Sequence, residues 1–316
     1  MGKSRQRRFG ARCRFASGLA WLICNALVAL AAALPAVGAA PATASARDVE
    51  RFDKRKVSIL LADGQTIAYV DSGSPQAQPL VLIHGYTDSA RDWLPVEPLL
   101  ARRFRLIIVD LRGHGASGKP ECCYTRFDFA YDIKLLLDSL HIAAADIAGH
   151  SLGSLVAQTF AELWPGYTRR LILISSTGTS FGTQGWLADV ERLNDPIDPN
   201  SPFMRGWWTQ SIAINPEFFS SRQRQDAAAI PARVWRAIAA QSLVGVDLTS
   251  MLHRVRAPTL LIWGARDDLV TEEGREALHS GISGSRVEIF ESLGHDLFWE
   301  NPAAVTSAII EFLTAT

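Results

Sequence analysis

"IAGHSLGSLVAQTF" (residues 147–160) sets Ser151 between Gly149 and Gly153 at G-x-S-x-G spacing. A short apolar run leads into it, and a helical pattern from Leu152 to Leu163 leads out. A structural turn needs one glycine or none, so two glycines around one serine point to a tight corner that keeps the approach to the hydroxyl clear. As a helix cap, Ser151 would be an ordinary choice. The surrounding strands decide between cap and nucleophile.

Working outward, "PLVLIHG" (79–85), "RLIIVDLRGHG" (105–115), "DIAGHS" (146–151), "RRLILISS" (169–176), "PTLLIWG" (258–264) and "RVEIFES" (286–292) are short apolar runs rich in β-branched residues. Unbroken runs of this kind suit strands buried on both faces, as in a parallel sheet. Helical stretches alternate with them, among them "FDFAYDIKLLLDSL" (127–140) and a final helix from Pro302 to Leu313. "VSILLADGQTIAYV" (57–70) reads as two strands joined at Asp63-Gly64. The predicted class is α/β, a mostly parallel sheet flanked by helices. Residues 179–249 break the alternation with Trp, Phe, Pro and Asn and short amphipathic pieces, which predicts an inserted helical cap. The core is then split into 47–178 and 250–316.

The first 46 residues have a different character. Lys3, Arg5, Arg7, Arg8, Arg12 and Arg14 precede "GLAWLICNALVALAAALPAVGAA" (18–40) and "ATASA" (42–46). Basic, apolar and small-residue regions in that order form the pattern of a signal peptide cut after Ala46, and so predict a periplasmic or secreted chain with no stable membrane span. The competing expectation is an uncleaved anchor, since roughly 18 apolar residues suffice to cross a bilayer. Cleavage removes six basic residues and no acid, leaving 26 Lys and Arg against 32 Asp and Glu, a net charge of about −6. No basic stripe remains, which argues against a nucleic-acid partner. Of four cysteines only the adjacent pair Cys122-Cys123 stays. Neighbouring Cα atoms are about 3.8 Å apart, below the usual disulfide range, so two free thiols are expected.

Ligands of open α/β sheets bind at the carboxyl ends of the strands. There the sequence places His84-Gly85-Tyr86-Thr87, Ser151, Gly264-Ala265-Arg266-Asp267 and Gly294-His295. Serine, acid and histidine therefore share one rim, in the chain order of the nucleophile-elbow motif. A serine hydroxyl needs a base within reach. His295 fits that role, with Asp267 holding the imidazole in one tautomer. The backbone amides of Leu152 and Tyr86 are the expected oxyanion donors. Asp268 is the rival acid, and the three-residue step from Gly264 favours Asp267. His84, His114 and His150 are expected to shape loops, Asp110 to stabilise the turn after its strand, and Asp296 to be solvated or a loop partner. Tyr86, Trp207, Trp208 and Phe298 are the candidate substrate contacts. Trp186, Phe218, Phe219 and Trp235 could line an apolar acyl pocket or simply form cap core, and the contributions of Trp93 and Leu269 are left open.

Taken together, "HGYTDSARDW" (84–93), "VDLRGHGASGKP" (109–120), "GHSLGS" (149–154), "LLIWGARDDLV" (260–270) and "LGHDLFWENP" (293–302) resemble the α/β-hydrolase superfamily, in its cap-bearing serine esterase, lactonase and peroxidase-like branch. The resemblance spans roughly residues 57–316. Ser154 departs from it, where many relatives carry another glycine. The resemblance implies an acyl-enzyme on Ser151, with no metal or organic cofactor, acting on a small-molecule ester or lactone with an apolar acyl or aromatic part. Dehalogenases and epoxide hydrolases of this fold place an aspartate at the elbow. Carbon–carbon hydrolases usually have a more glycine-rich loop than Tyr86-Thr87-Asp88. Two alternatives stay open: a cofactor-free peroxidase or perhydrolase with the same triad, and a hydrolase-like ligand-binding protein with incidental turnover.

Overall fold

The computed structural model describes residues 46–180, 185–207 and 223–315. The 1–45 segment, Trp208, Phe218 and Phe219 lie outside these residues. Eight strands form one sheet: β1 (Val57–Leu60), β2 (Thr66–Ser72), β3 (Gln78–Ile83), β4 (Phe104–Asp110), β5 (Ala145–His150), β6 (Thr168–Ile174), β7 (Thr259–Gly264) and β8 (Arg286–Phe290). Their spatial order is β1-β2-β4-β3-β5-β6-β7-β8. The β1–β2 hairpin and the β2–β4 pair are antiparallel. Every other pair is parallel.

The unbroken apolar runs follow from helices covering both faces. Side chains alternate along a strand, so Val81 and Ile83 of β3, Ile107 and Val109 of β4 and Ile147 of β5 enter one core. Leu80, Leu82, Leu106, Ile108 and Ala148 enter the other. α1 (Ala46–Asp53), α2 (Glu97–Leu100), α3 (Arg126–Ser139) and α4 (Leu152–Leu163) are the helices before β6. Between β6 and β7 come α5 (Trp186–Glu191), α6 (Pro202–Trp207), α7 (223–228) and α8 (Ala232–Ile238). α9 (Glu272–Gly281), α10 (Leu297–Glu300) and α11 (Pro302–Thr314) complete the chain. The first core packs Phe129 and Ile133 of α3 and Leu155 and Phe160 of α4 beside Trp235 of α8. The second packs Val305, Ile309 and Phe312 of α11 beside Phe52 of α1. α3 starts at a capping box, in which Thr125 Oγ1 accepts from the Asp128 amide at 3.2 Å and Asp128 Oδ2 accepts from the Thr125 amide at 2.9 Å.

Two expectations need correction. Cys122 and Cys123 are not free thiols but are joined as a vicinal disulfide in the loop before α3. Their Cα atoms keep the ordinary 3.8 Å spacing of neighbours, and Cys123 takes a positive φ of +75°. Asp296 is not solvated. It is 1 % exposed, and burial pushes its carboxyl up in pKa.

The corner between β5 and α4 depends on its two glycines. A Cβ on Gly149 would run into the Gly153 carbonyl, and one on Gly153 into the carbonyls of Ile83 and His84. Gly153→Ala therefore forces backbone against backbone. It should cost about 1–3 kcal/mol, the usual penalty for overpacking. Gly166→Ala, where an added Cβ meets nothing, should change stability by no more than about 0.5 kcal/mol. Urea denaturation of both variants checks the contrast.

Candidate active site

Ser151 sits directly between β5 and α4 with φ +52° and ψ −120°. A non-glycine residue holds this conformation only where its surroundings impose it. Here its amide donates to the Ile174 carbonyl of β6 at 3.0 Å, and its own carbonyl accepts from the Ser154 amide at 2.9 Å. Ser154, the departure from the family pattern, adds a 2.6 Å bond from its Oγ to the same carbonyl. The loop after β3 lies against the elbow, since a Cβ on Gly85 would stand 3.5 Å from Ser151 Cβ. Tyr86 follows at once. The first amides of a helix have no intrahelical acceptor, so Leu152 opens α4 with a donor pointing out of the helix beside Ser151.

Asp267 and His295 come together from the ends of β7 and β8. His295 Nδ1 donates to Asp267 Oδ2 at 2.9 Å, and Asp267 Oδ1 accepts from the Leu269 amide at 2.9 Å. Both side chains are buried, while Asp268 is exposed. Burial alone would lower the pKa of His295. The charge and hydrogen bond of Asp267, with Asp296 and Asp92 beyond it, outweigh that effect and raise it to about 9. For Asp267, burial pushes upward but the His295 charge prevails, and its pKa falls.

Beneath this pair lies a buried support that sequence patterns did not reveal. The His295 carbonyl accepts from His150 Nε2 at 3.0 Å and from Ser175 Oγ at 2.8 Å. His150 Nδ1 stands 3.5 Å from Asp92 Oδ2, and Asp92 Oδ1 accepts from Trp299 Nε1 at 3.0 Å. Among the described residues Ser151 Oγ makes no hydrogen bond. The serine and His295 are tied instead through His150, whose ring lies 4.9 Å from that of His295. Asp88, Asp92 and His150 place three donor atoms within 4.8 Å of one another. Asp88 Oδ1 is engaged by Gln223, and His150 Nε2 by the His295 carbonyl. Only long-range pairing links Asp92 or Ser175 to the site, so no local motif could have marked them.

The other expected residues fall into place by their contacts. His84 donates from Nδ1 to the Gly85 carbonyl at 2.8 Å and accepts from the Leu111 amide at 3.0 Å. Burial holds it well below the ordinary histidine pKa, in keeping with a neutral ring. His114 Nε2 meets the Tyr86 carbonyl at 2.5 Å. Asp110 accepts from the amides of Ala90 and Ala116 at 2.7 and 2.9 Å, fixing the turns on either side. Tyr86, Trp207 and Trp235 cluster with ring centroids 5.1–6.0 Å apart, and Trp186 joins at 5.9 Å from Trp207. Trp207 remains half-buried. Phe298 was expected to touch substrate. It is fully buried instead, stacked on Trp93 at 4.9 Å and edge-on to His150, so it packs beneath the rim that carries His295. The apolar stretch around it forms α10, which turns it inward.

With this geometry in view, comparison with known proteins assigns the family. The alpha/beta hydrolase family pattern matches residues 80–308. The chain belongs to that family. A 2-hydroxy-6-oxononadienedioate/2-hydroxy-6-oxononatrienedioate hydrolase of Escherichia coli K12 is 27% identical over 253 residues, covering 75% of this chain and 87% of the relative. A hydrolase structure from Pseudomonas aeruginosa superposes with TM-score 0.74 at 28% identity, covering 82% of this chain and 98% of that one. The structure of a membrane phospholipase A superposes with TM-score 0.71 at 25% identity, covering 84% and 88%.

The Asp267 carboxylate should hold the His295 proton up to about pH 9. Asp267→Asn removes the charge and leaves burial a larger share of control, so the histidine should titrate at lower pH. NMR titration of the His295 ring in both proteins measures the shift.

Proposed function

We propose that the chain is an exported serine hydrolase that cleaves carboxylic esters with an apolar acyl or aromatic part through an acyl-enzyme on Ser151. The observation that carries this reading is a serine held at φ +52° on a helix N-terminus, on the rim where a buried His295–Asp267 pair meets at 2.9 Å. Ser151 Oγ attacks the ester carbonyl while His295 Nε2 takes its proton. The carbonyl oxygen becomes an oxyanion held by the Leu152 and Tyr86 amides, each such donor being worth about 2.7–4 kcal/mol in mutational tests of a serine protease. Collapse expels the alcohol, which receives the proton from His295. Water then attacks the acyl-enzyme with the same base, releasing the acid and restoring Ser151. The Tyr86, Trp186, Trp207 and Trp235 rings supply an apolar wall for the acyl group.

The E. coli relative's name supports a second reading, cleavage of a carbon–carbon bond beside a carbonyl by the same serine. The loop Tyr86-Thr87-Asp88 weighs toward esters, because carbon–carbon hydrolases usually carry glycines there. The likeness to a membrane phospholipase A adds lipid esters to the substrates worth testing, and with them a retained apolar segment at 18–40 in place of a cleaved one.

The test is stopped-flow hydrolysis of p-nitrophenyl esters from acetyl to long acyl chains. A burst stoichiometric with enzyme should appear and should vanish in Ser151→Ala, with kcat lower by roughly 10³-fold or more. kcat/KM should climb from pH 7 toward 9 as His295 loses its proton. No burst, or equal rates in the variant, defeats the ester reading. Cell fractionation with N-terminal sequencing should find a periplasmic or secreted chain beginning after Ala46. Membrane-bound full-length protein would establish the anchor instead.

A further inference from the structure

The loop that carries the Tyr86 amide is held, side chain after side chain, by the helices between β6 and β7. The Tyr86 hydroxyl donates to the Trp235 carbonyl at 2.5 Å. Thr87 Oγ1 accepts from Trp207 Nε1 at 2.9 Å, and Asp88 Oδ1 from Gln223 Nε2 at 2.7 Å. Ser89 Oγ donates to Asp226 Oδ2 at 3.0 Å, and Arg91 forms an ion pair with the other oxygen of Asp226. Gln223 and Asp226 stand three residues apart on α7, hence on one helical face.

Thr87, Asp88 and Ser89 are each 2 % exposed. Buried polar side chains are tolerable when paired and costly when not. These three draw partners from the inserted helices, so lifting α7 away would remove bonds from Asp88, Ser89 and Arg91 together. The core holds the loop at other points. His114 grips the Tyr86 carbonyl, Asp110 the Ala90 amide, and Asp53 of α1 takes Arg91 Nε at 2.8 Å. The position of the Tyr86 amide thus has two determinants, one in the sheet core and one in the insertion. A cavity of about 450 Å³ opens between them, with Lys56, Arg91 and Asp226 in its wall.

We propose that Gln223 and Asp226 are positioning residues for the oxyanion site: docking of α7 sets the Tyr86–Arg91 loop, so that the insertion completes the catalytic site as well as covering the substrate. This rests on the ester-hydrolase reading above. It separates two roles a cap can have. A cap that only encloses substrate affects KM and acyl selectivity. A cap that also sets a donor affects kcat, even for an ester too small to fill the pocket, because the oxyanion exists only in the transition state.

The experiment compares full-length wild type with Asp226→Ala and Gln223→Ala, using p-nitrophenyl acetate as substrate and an alkylboronic acid as a mimic of the tetrahedral oxyanion. Arg233→Ala is the control. It loosens the same insertion at the Lys119 and Pro120 carbonyls, away from the oxyanion loop. Deleting a donor outright costs about 10²–10³ in kcat, and a misplaced one should cost about 10–100-fold. Asp226→Ala should therefore lose about 10–100-fold in kcat with KM nearly unchanged, and boronate affinity should fall in step. Arg233→Ala should keep kcat within about twofold. If Asp226→Ala fails to fold by circular dichroism, Gln223→Ala carries the same test. Unchanged kcat and boronate affinity, a loss confined to KM, or an equal loss in Arg233→Ala overturns the inference. A wild-type protein with no Ser151-dependent burst defeats the underlying reading instead, so the two failures are distinct.

Discussion

The backbone approach at the β5–α4 corner is the constraint on which the other parts of the site depend. Gly149 sits against Gly153, and Gly153 against the carbonyls of Ile83 and His84, with no room for a Cβ at either point. That contact fixes where α4 begins relative to β3 and β5. It also holds Ser151 at φ +52°, a conformation an isolated serine would leave. The N-terminus of α4 and the turn after β3 then converge on the serine from two sides. The Ser151 amide bond to Ile174 extends the constraint to β6, whose next residue, Ser175, holds the His295 carbonyl. Strain at Ser151 is offset by its hydrogen bonds to the Ile174 carbonyl of β6 and from Ser154 of α4.

Electrostatics around His295 works in the opposite sense to packing. Burial would leave the ring neutral, yet Asp267 in direct contact, with Asp296 and Asp92 farther off, makes this a place where a proton stays. An imidazole that holds its proton to about pH 9 is a strong acceptor once free, at the expense of being free less often near neutrality. Asp92 belongs to this balance in two ways. It contributes to the field at His295, and through His150 it supports the loop that carries the histidine.

The insertion between β6 and β7 is bound up with the loop after β3 more closely than a simple cover requires. Aromatic rings from α5, α6 and α8 surround Tyr86, and polar groups from α7 reach Asp88, Ser89 and Arg91. Apolar packing gives this contact its area, while paired buried polar groups give it a unique register.

The central strands were legible in the sequence because β3, β5 and β7 are apolar on both faces, whereas β1 and β8 at the sheet edges are largely exposed. The helix read over Leu152–Leu163 is found at those residues, and Pro302 opens the last helix. The elbow and the serine–acid–histidine order were legible too, since a glycine requirement and a strand end are local features. Phe298 was misread because an aromatic next to a catalytic loop has the same local pattern whether it faces substrate or core, and only the turn of α10 decides. The disulfide state of Cys122-Cys123 was misread because the 3.8 Å Cα spacing of neighbours lies below the usual disulfide range, and the bond forms at that spacing all the same. By itself, then, the sequence determined the class of fold and the order of its strands, and it put Ser151, Asp267 and His295 at strand ends. Local backbone chemistry and hydrophobic period dictate those. Tertiary structure alone decided that Asp92 and Ser175 stand beneath His295, and that Gln223 and Asp226 hold Asp88 and Ser89 of the loop after β3. Those pairs join residues between 120 and 207 positions apart, a proximity that exists only once the sheet has brought the strand ends together.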